Sequence, residues 1–191
     1  VWAEPSGDRR PLDSPLADFS PHPTGTPDGS FPVSIPPALV TIDGFNGPQD
    51  PWLPSGVTES RGNNVDAYTD GGGDGFGVGD VRATMTSDGV FDRTYDLSLE
   101  PQASDEQRKA AVTQAFYTTN WLHDWWYESG FDEPSGNAQL DNYGRGGSGG
   151  DPLLVEVQDN APSSQNNANM ATPADGMSPR MQVFIWSPRR S

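Results

Sequence analysis

Residues 110–131, AAVTQAFYTTNWLHDWWYESGF, constrain this chain more than any other segment, because a helix carrying Phe116, Tyr117, Trp121, Trp125 and Trp126 must bury much of its surface. Ser104 followed three residues later by Gln107 is a capping-box pattern, and Asp105 and Glu106 fall in the first turn, where the helix dipole favours negative charge. Val112, Ala115, Phe116, Thr119, Leu122 and Trp126 recur at three- and four-residue steps, with Trp121 and Trp125 as a second stripe beside them. Gly130 can take the left-handed conformation that ends a helix, with Phe131 folding back onto it. The expected helix spans about residues 105–129.

The flanking sequence reads as extended chain and loops. Twelve of the nineteen prolines lie in the first sixty residues, which blocks helix there and predicts an extended arm or linker over residues 1–30. Residues 31–42, FPVSIPPALVTI, carry enough apolar and β-branched residues for a short edge strand, where proline is tolerated. The runs VGDVRATMT and VFDRTYDLSL, separated by Ser87-Asp88-Gly89, predict a hairpin with Tyr95, Leu97 and Leu99 on its buried face. Further strands are expected at 138–143, 153–158 and 180–186. Residues 166–172 are asparagine-rich, yet they could pair with 180–186 as an edge strand across the turn Pro173-Ala174-Asp175-Gly176. The predicted class is α+β: one β-rich, loop-rich lobe over residues 31–191, with antiparallel strands packed on the long helix.

Charge and composition exclude several functions. A net charge of −16 and a pI near 4.1 leave too few cations to neutralise a phosphate backbone, so nucleic acid is excluded as a partner and anionic membrane surfaces are disfavoured. No apolar run approaches the ~20 residues of a spanning helix. The chain holds no cysteine, hence no disulfide framework and no thiolate ligand or nucleophile.

The sequence carries no convincing catalytic set and no metal-ligand set. Only two histidines exist, His22 and His123, and no H-E-x-x-H, G-x-S-x-G or phosphate-binding glycine loop is present. His123-Asp124 offers a base with an orienting carboxylate, but adjacent helical residues point about 100° apart, which favours a structural core histidine. Asp66, Asp70, Asp74 and Asp80 place four carboxylates on a glycine-rich loop, the chemistry calcium accepts; the spacing fits no EF-hand, and a solvated loop is the simpler account. Residues 166–170, NNANM, form either a turn or an edge strand able to take a peptide through main-chain hydrogen bonds.

Four blocks in series, TESRGNNVDAY (58–68), QAFYTTNWLHDWWYESGFDEPSGNAQLDNYGRGG (114–147), DPLLVEVQD (151–159) and NNANMATPADGMSPRMQVFIW (166–186), resemble the fungalysin family of secreted zinc metallopeptidases. The resemblance covers about residues 31–186. It implies a thermolysin-like enzyme of two lobes, of which this sequence matches the first, N-terminal one. The zinc, its H-E-x-x-H ligands and the general base would lie in a C-terminal helical lobe that this sequence does not include. By the same similarity Asn167 and Ala168 correspond to the pair that clamps a peptide substrate on the edge strand, with Asn169 beside them. The implied function is the substrate-strand lobe of an extracellular zinc endopeptidase acting on peptides or proteins through zinc-activated water, inactive as an isolated fragment. The alternative is a secreted acidic interaction module without catalysis, with calcium as its cofactor.

Overall fold

The computed structural model describes residues 2–3, 18–20, 33–35, 38–42, 48–161 and 163–187. Apart from two short strands, the arm expected over residues 1–30 lies outside them, as does His22. Strands β1 (Trp2–Ala3) and β4 (Ala38–Leu39) pair antiparallel, as do β2 (Asp18–Ser20) and β3 (Val33–Ile35).

Helix α1 runs from Asp105 to Tyr127. The Ser104 side chain caps it by accepting from the Gln107 amide at 3.2 Å. The reciprocal half of the capping box is absent, because the Gln107 side chain turns to the loop before the helix. Its Oε1 accepts from the Asp96 amide (2.8 Å) and its Nε2 donates to the Asp96 carbonyl (2.7 Å). At the other end the Phe131 amide donates to the Trp126 carbonyl (3.2 Å) and the Gly130 amide to that of Tyr127 (3.0 Å). Gly130 has a φ of +97°, a conformation that side chains resist. Phe131 then meets the His123 ring edge-on.

The sequence period anticipates the buried face only in part. Thr113, Phe116, Tyr117, Asn120, Trp121 and Asp124 follow one stripe into the interior, and Val112 joins them. Leu122, Trp125 and Trp126 are instead exposed, the last two by 46% and 55%, so the C-terminal turns are not the buried spine their aromatic content predicts. Trp125 stacks on the buried Trp121 at 5.2 Å and keeps the rest of its own surface in solvent.

The main sheet has the order β5–β6–β8–β7, from Val65–Thr69, Leu153–Val157, Arg180–Val183 and Ala168–Ala171. The expectation of antiparallel strands is corrected here: β5, β6 and β8 run parallel, and only β7 opposes β8. The reason is topological. Helix α1 lies between β5 and β6 in the chain and returns it to the starting end of the sheet, as parallel pairing requires. β5 is buried at every position, as befits a strand covered on both faces. Its outer edge is closed by the neighbouring loops: Ala67 donates to the Ser60 carbonyl (2.8 Å) and Thr69 to that of Val81 (3.0 Å).

Helix α1 packs on β5 and β6. Between them lies a core of Trp52, Val65, Ala67, Phe91, Val112, Phe116, Tyr117, Trp121, Val155 and Val157. Trp52 meets Tyr117 edge-on at 5.5 Å, and its indole N–H donates to Asp124 at 2.8 Å, so the ring's one polar atom is satisfied inside the core.

The expected hairpin and the strand expected at 138–143 do not form. Around Ser87-Asp88-Gly89 there is only a tight turn with a single bridge, Ser87 to Val90, and Leu97 and Leu99 lie exposed. Residues 138–143 are irregular, because Asn63 takes over their pairing: its Oδ1 accepts from the Asp141 amide (2.9 Å) and its Nδ2 donates to the Asp141 carbonyl (3.2 Å).

Candidate functional site

Strand register sorts the residues of the sheet onto two faces. Val65, Ala67, Val155 and Val157 point toward α1. On the opposite face Tyr68, Glu156, Gln182 and Asn169 stand in one cross-strand row, each the direct neighbour of the next. The apolar face thus builds the core, and the polar face leads from the buried centre out to the edge strand.

At that edge, β7 is exposed at all four positions and is the last strand of the sheet. Its approach is fixed by Asn166, which sits at a φ of +59° and holds Ser187 through its amide: the Ser187 N–H donates to Oδ1 (2.8 Å) and Nδ2 donates to the Ser187 hydroxyl (2.8 Å). The Phe184 amide donates to the Asn167 carbonyl (3.1 Å), which starts the pairing that continues as Ala168 with Val183 and Asn169 with Gln182. Among the described residues nothing pairs with the outer side of β7, so half of its N–H and C=O groups face away from the sheet. Asn167, Ala168 and Asn169 are together at this edge, and all are exposed.

His123 and Asp124 are on α1, which packs against β5 and β6, away from the edge strand. Their side chains approach more closely than adjacent helical positions suggest, with Nδ1 3.4 Å from the Asp124 carboxylate. Asp124 is already engaged by Trp52, and this pair ties the helix to the Trp52 segment.

The aspartates of the glycine loop do not converge on one point. Asp66 grips Arg82 with both oxygens, at 2.7 and 2.9 Å. Asp80 accepts from the amides of Gly71 and Gly77, at 2.9 Å each. Asp70, fully buried, accepts from those of Gly73 (2.7 Å), Asp74 (3.1 Å) and Gly75 (2.8 Å). The loop is therefore folded around its own carboxylates.

Asp70 has a second neighbourhood that local spacing does not show. It follows β5 directly, while Asp159 lies just past β6, and Glu156 points from β6 toward both; carboxylate oxygens of all three come within 4.8 Å of one another. Burial pushes the Glu156 carboxyl above its ordinary range; Arg180, with Nε at 3.6 Å from Oε2, opposes this and Asp70 adds to it. Burial also raises Asp159, again with Asp70 contributing. The Tyr68 hydroxyl donates to Glu156 at 3.2 Å, and its own ionisation is pushed up by burial and by that carboxylate. The one clue in the sequence was Glu156 itself, set inside the apolar strand LLVEV.

These residues do not fit a hydrolytic zinc site. Such a site takes three protein ligands, rich in imidazole, and leaves a position open for water. The acidic triad is the only group of three metal-ligating side chains found among the described residues, and it contains no histidine. His123 has no second imidazole to work with among them.

Residues 42–191 match the family described as Fungalysin metallopeptidase (M36). The chain is 37% identical over 177 residues to the "Extracellular metalloproteinase MEP" of Pyricularia oryzae, covering 90% of this chain and 27% of that protein. It is 38% identical over 178 residues to the "Extracellular metalloproteinase 1" of Phaeosphaeria nodorum, covering 89% and 26%. With the "Extracellular metalloproteinase 5" of Arthroderma gypseum the identity is 40% over 140 residues, 71% of this chain and 21% of that one. The chain thus spans about a quarter of the length of the curated relatives it matches.

Proposed function

The chain belongs to the fungalysin metallopeptidase family (M36), and from that premise we propose that it forms the substrate-strand lobe of an extracellular zinc endopeptidase, with β7 as the edge along which a peptide lies. The observation that carries this reading is the exposed, outwardly unpaired β7 at the rim of the sheet. An extended peptide placed there finds main-chain donors and acceptors in register, and the carboxamide of Asn167 offers one of each to a peptide group. Asn169 closes the polar row begun by Tyr68, Glu156 and Gln182, while Ala168, with its small side chain, lets the backbone approach. The zinc and the catalytic base are assigned to a separate H-E-x-x-H half. No helix among the described residues is long and apolar enough to cross a membrane; the extracellular reading is supported by the names of the relatives.

Each main-chain hydrogen bond to such a peptide contributes about 0.5–1.5 kcal/mol net. Two or three of them give weak binding by this lobe alone. Titration of the isotope-labelled chain with an unlabelled extended heptapeptide should therefore move the amide resonances of residues 167–171 at millimolar peptide, and Asn167→Ala should weaken the effect several-fold. Shifts confined to other surfaces, or indifferent to Asn167→Ala, would refute the placement of the peptide. Chelator-sensitive peptide hydrolysis by the 191-residue chain alone would refute the assignment of zinc to a separate half.

A further inference from the structure

We propose that Asp70, Glu156 and Asp159 form a binding site for a hard divalent cation of the calcium class. Three observations converge on it. The first is geometric: two oxygens that each lie ~2.4 Å from one calcium ion can be no more than ~4.8 Å apart, and the three carboxylates meet that limit.

The second is unmet hydrogen-bonding capacity. Asp70, Glu156 and Asp159 are 0%, 1% and 2% exposed, yet Glu156 Oε2 and Asp159 Oδ1 accept no hydrogen bond of normal geometry, although the Gln182 side chain lies close enough to favour both carboxylates. Buried carboxylate oxygens are normally satisfied, because the desolvation they suffer is otherwise uncompensated. The nearest cation, Arg180, reaches Glu156 only at 3.6 Å and has a half-exposed side chain. Tyr68 serves the other Glu156 oxygen. Three carboxylates against one guanidinium leave two negative charges, which one divalent ion would neutralise.

The third is position. Asp70 and Asp159 follow the carboxyl ends of adjacent parallel strands, where open parallel sheets commonly place their ligands. The two segments are already locked together there: the Asp70 amide donates to the Val157 carbonyl (3.1 Å) and the Asn160 amide to the Asp70 carbonyl (2.8 Å). Asp70 is held in turn by three loop amides. A ligand set of oxygens alone selects a hard ion over zinc or copper. This proposal does not depend on a peptide lying along β7 or on where the catalytic zinc resides.

Thermal unfolding of the full 191-residue chain tests the proposal, with metal removed by chelation and calcium chloride then titrated back. Saturating calcium, about a hundredfold above its Kd, should raise the Tm by roughly 5–10 °C. The rise should vanish in Asp159→Asn and persist in Asp88→Asn, an exposed acid on the turn before Val90. Terbium provides a readout that needs no substitution: Tyr68 lies beside Glu156, so bound terbium should luminesce on aromatic excitation and be displaced by calcium. If Asp159→Asn does not fold, Glu156→Gln takes its place. Lack of a saturable calcium effect on the wild-type chain, or an equal effect in the Asp159 and Glu156 variants, overturns the proposal. Stabilisation by either substitution in a wild-type background blind to calcium would identify the cluster as buried neutral acids instead.

Discussion

Replacing Asp66 by Asn tests whether the acidic glycine loop is held by protein contacts or by a bound ion. Asp66 is buried and takes both Nε and Nη2 of Arg82, whose guanidinium also lies 3.7 Å over the Phe76 ring. Removing one partner of a buried ion pair costs about 3–5 kcal/mol, because the other charge is left without compensation. Two effects reduce that figure. Arg82 keeps its aromatic partner, worth ~0.5–1 kcal/mol at a partly exposed site, and the asparagine oxygen can still accept one hydrogen bond, worth ~1 kcal/mol. The expected loss is about 1–3.5 kcal/mol, or a fall in Tm of about 2–14 °C for a chain of this size. Urea unfolding followed by tryptophan fluorescence and far-ultraviolet circular dichroism measures it. The loss should be the same in calcium and in chelator, since Asp66 is committed to Arg82. A change under 0.5 kcal/mol, or a loss seen only with calcium present, refutes the reasoning.

Gly62→Ala should cost roughly 3 kcal/mol or prevent folding, because the added Cβ would sit 2.3 Å from the Trp52 carbonyl oxygen and 3.2 Å from the Phe116 ring; an unchanged Tm would show that the Trp52 segment can retreat. Burial pushes Glu133 up, but hydrogen bonds from Tyr127 and Arg145 outweigh it and hold the carboxyl below its ordinary 4.5. Its stabilising effect is therefore complete above that value and lost as pH falls through the lowered one, so Glu133→Gln should flatten the acid limb of a Tm–pH curve. Burial, with Glu133 adding, pushes the Tyr127 phenol up to about 12 from 10.0; stability from this source is present below pH 10 and lost as pH rises toward 12, and Tyr127→Phe should remove that alkaline limb. The exposed Leu122, Trp125 and Trp126 predict self-association of the isolated chain, visible by sedimentation velocity and relieved by Trp125→Ser with Trp126→Ser; a monomer at all concentrations would contradict this.

The parts of the fold legible in the sequence are those set by local chemistry. Ser104 and Gly130 bracket α1 because caps act within a few residues, and β8 was readable from the alternation of Met181, Val183 and Ile185 after a Pro-Ala-Asp-Gly turn. Strand β5 was missed as a core strand, because Asp66 and Thr69 make VDAYT look half polar. In the structure Arg82 neutralises the first, and the Thr69 hydroxyl accepts from the Val81 amide at 2.9 Å. Residues 138–143 failed as a strand because a distant asparagine, Asn63, replaced a strand as their partner. Of the candidate site residues, Asn167, Ala168 and Asn169 are proposed from resemblance alone, since nothing in NNANM separates a turn from an edge strand. The carboxylate cluster was invisible for another reason: Asp70 meets Glu156 and Asp159 only through the parallel pairing of β5 with β6.

The grip of Gln107 on both backbone groups of Asp96 makes the opening turn of α1 and the preceding loop a single opening unit. That loop also carries Pro101, whose carbonyl accepts from Gln158 Nε2 at 3.0 Å, immediately before Asp159. Fraying at the helix start would therefore be transmitted to the end of β6, and the amides of Asp96, Gln107 and Asp159 should share one rate of exchange with solvent deuterium.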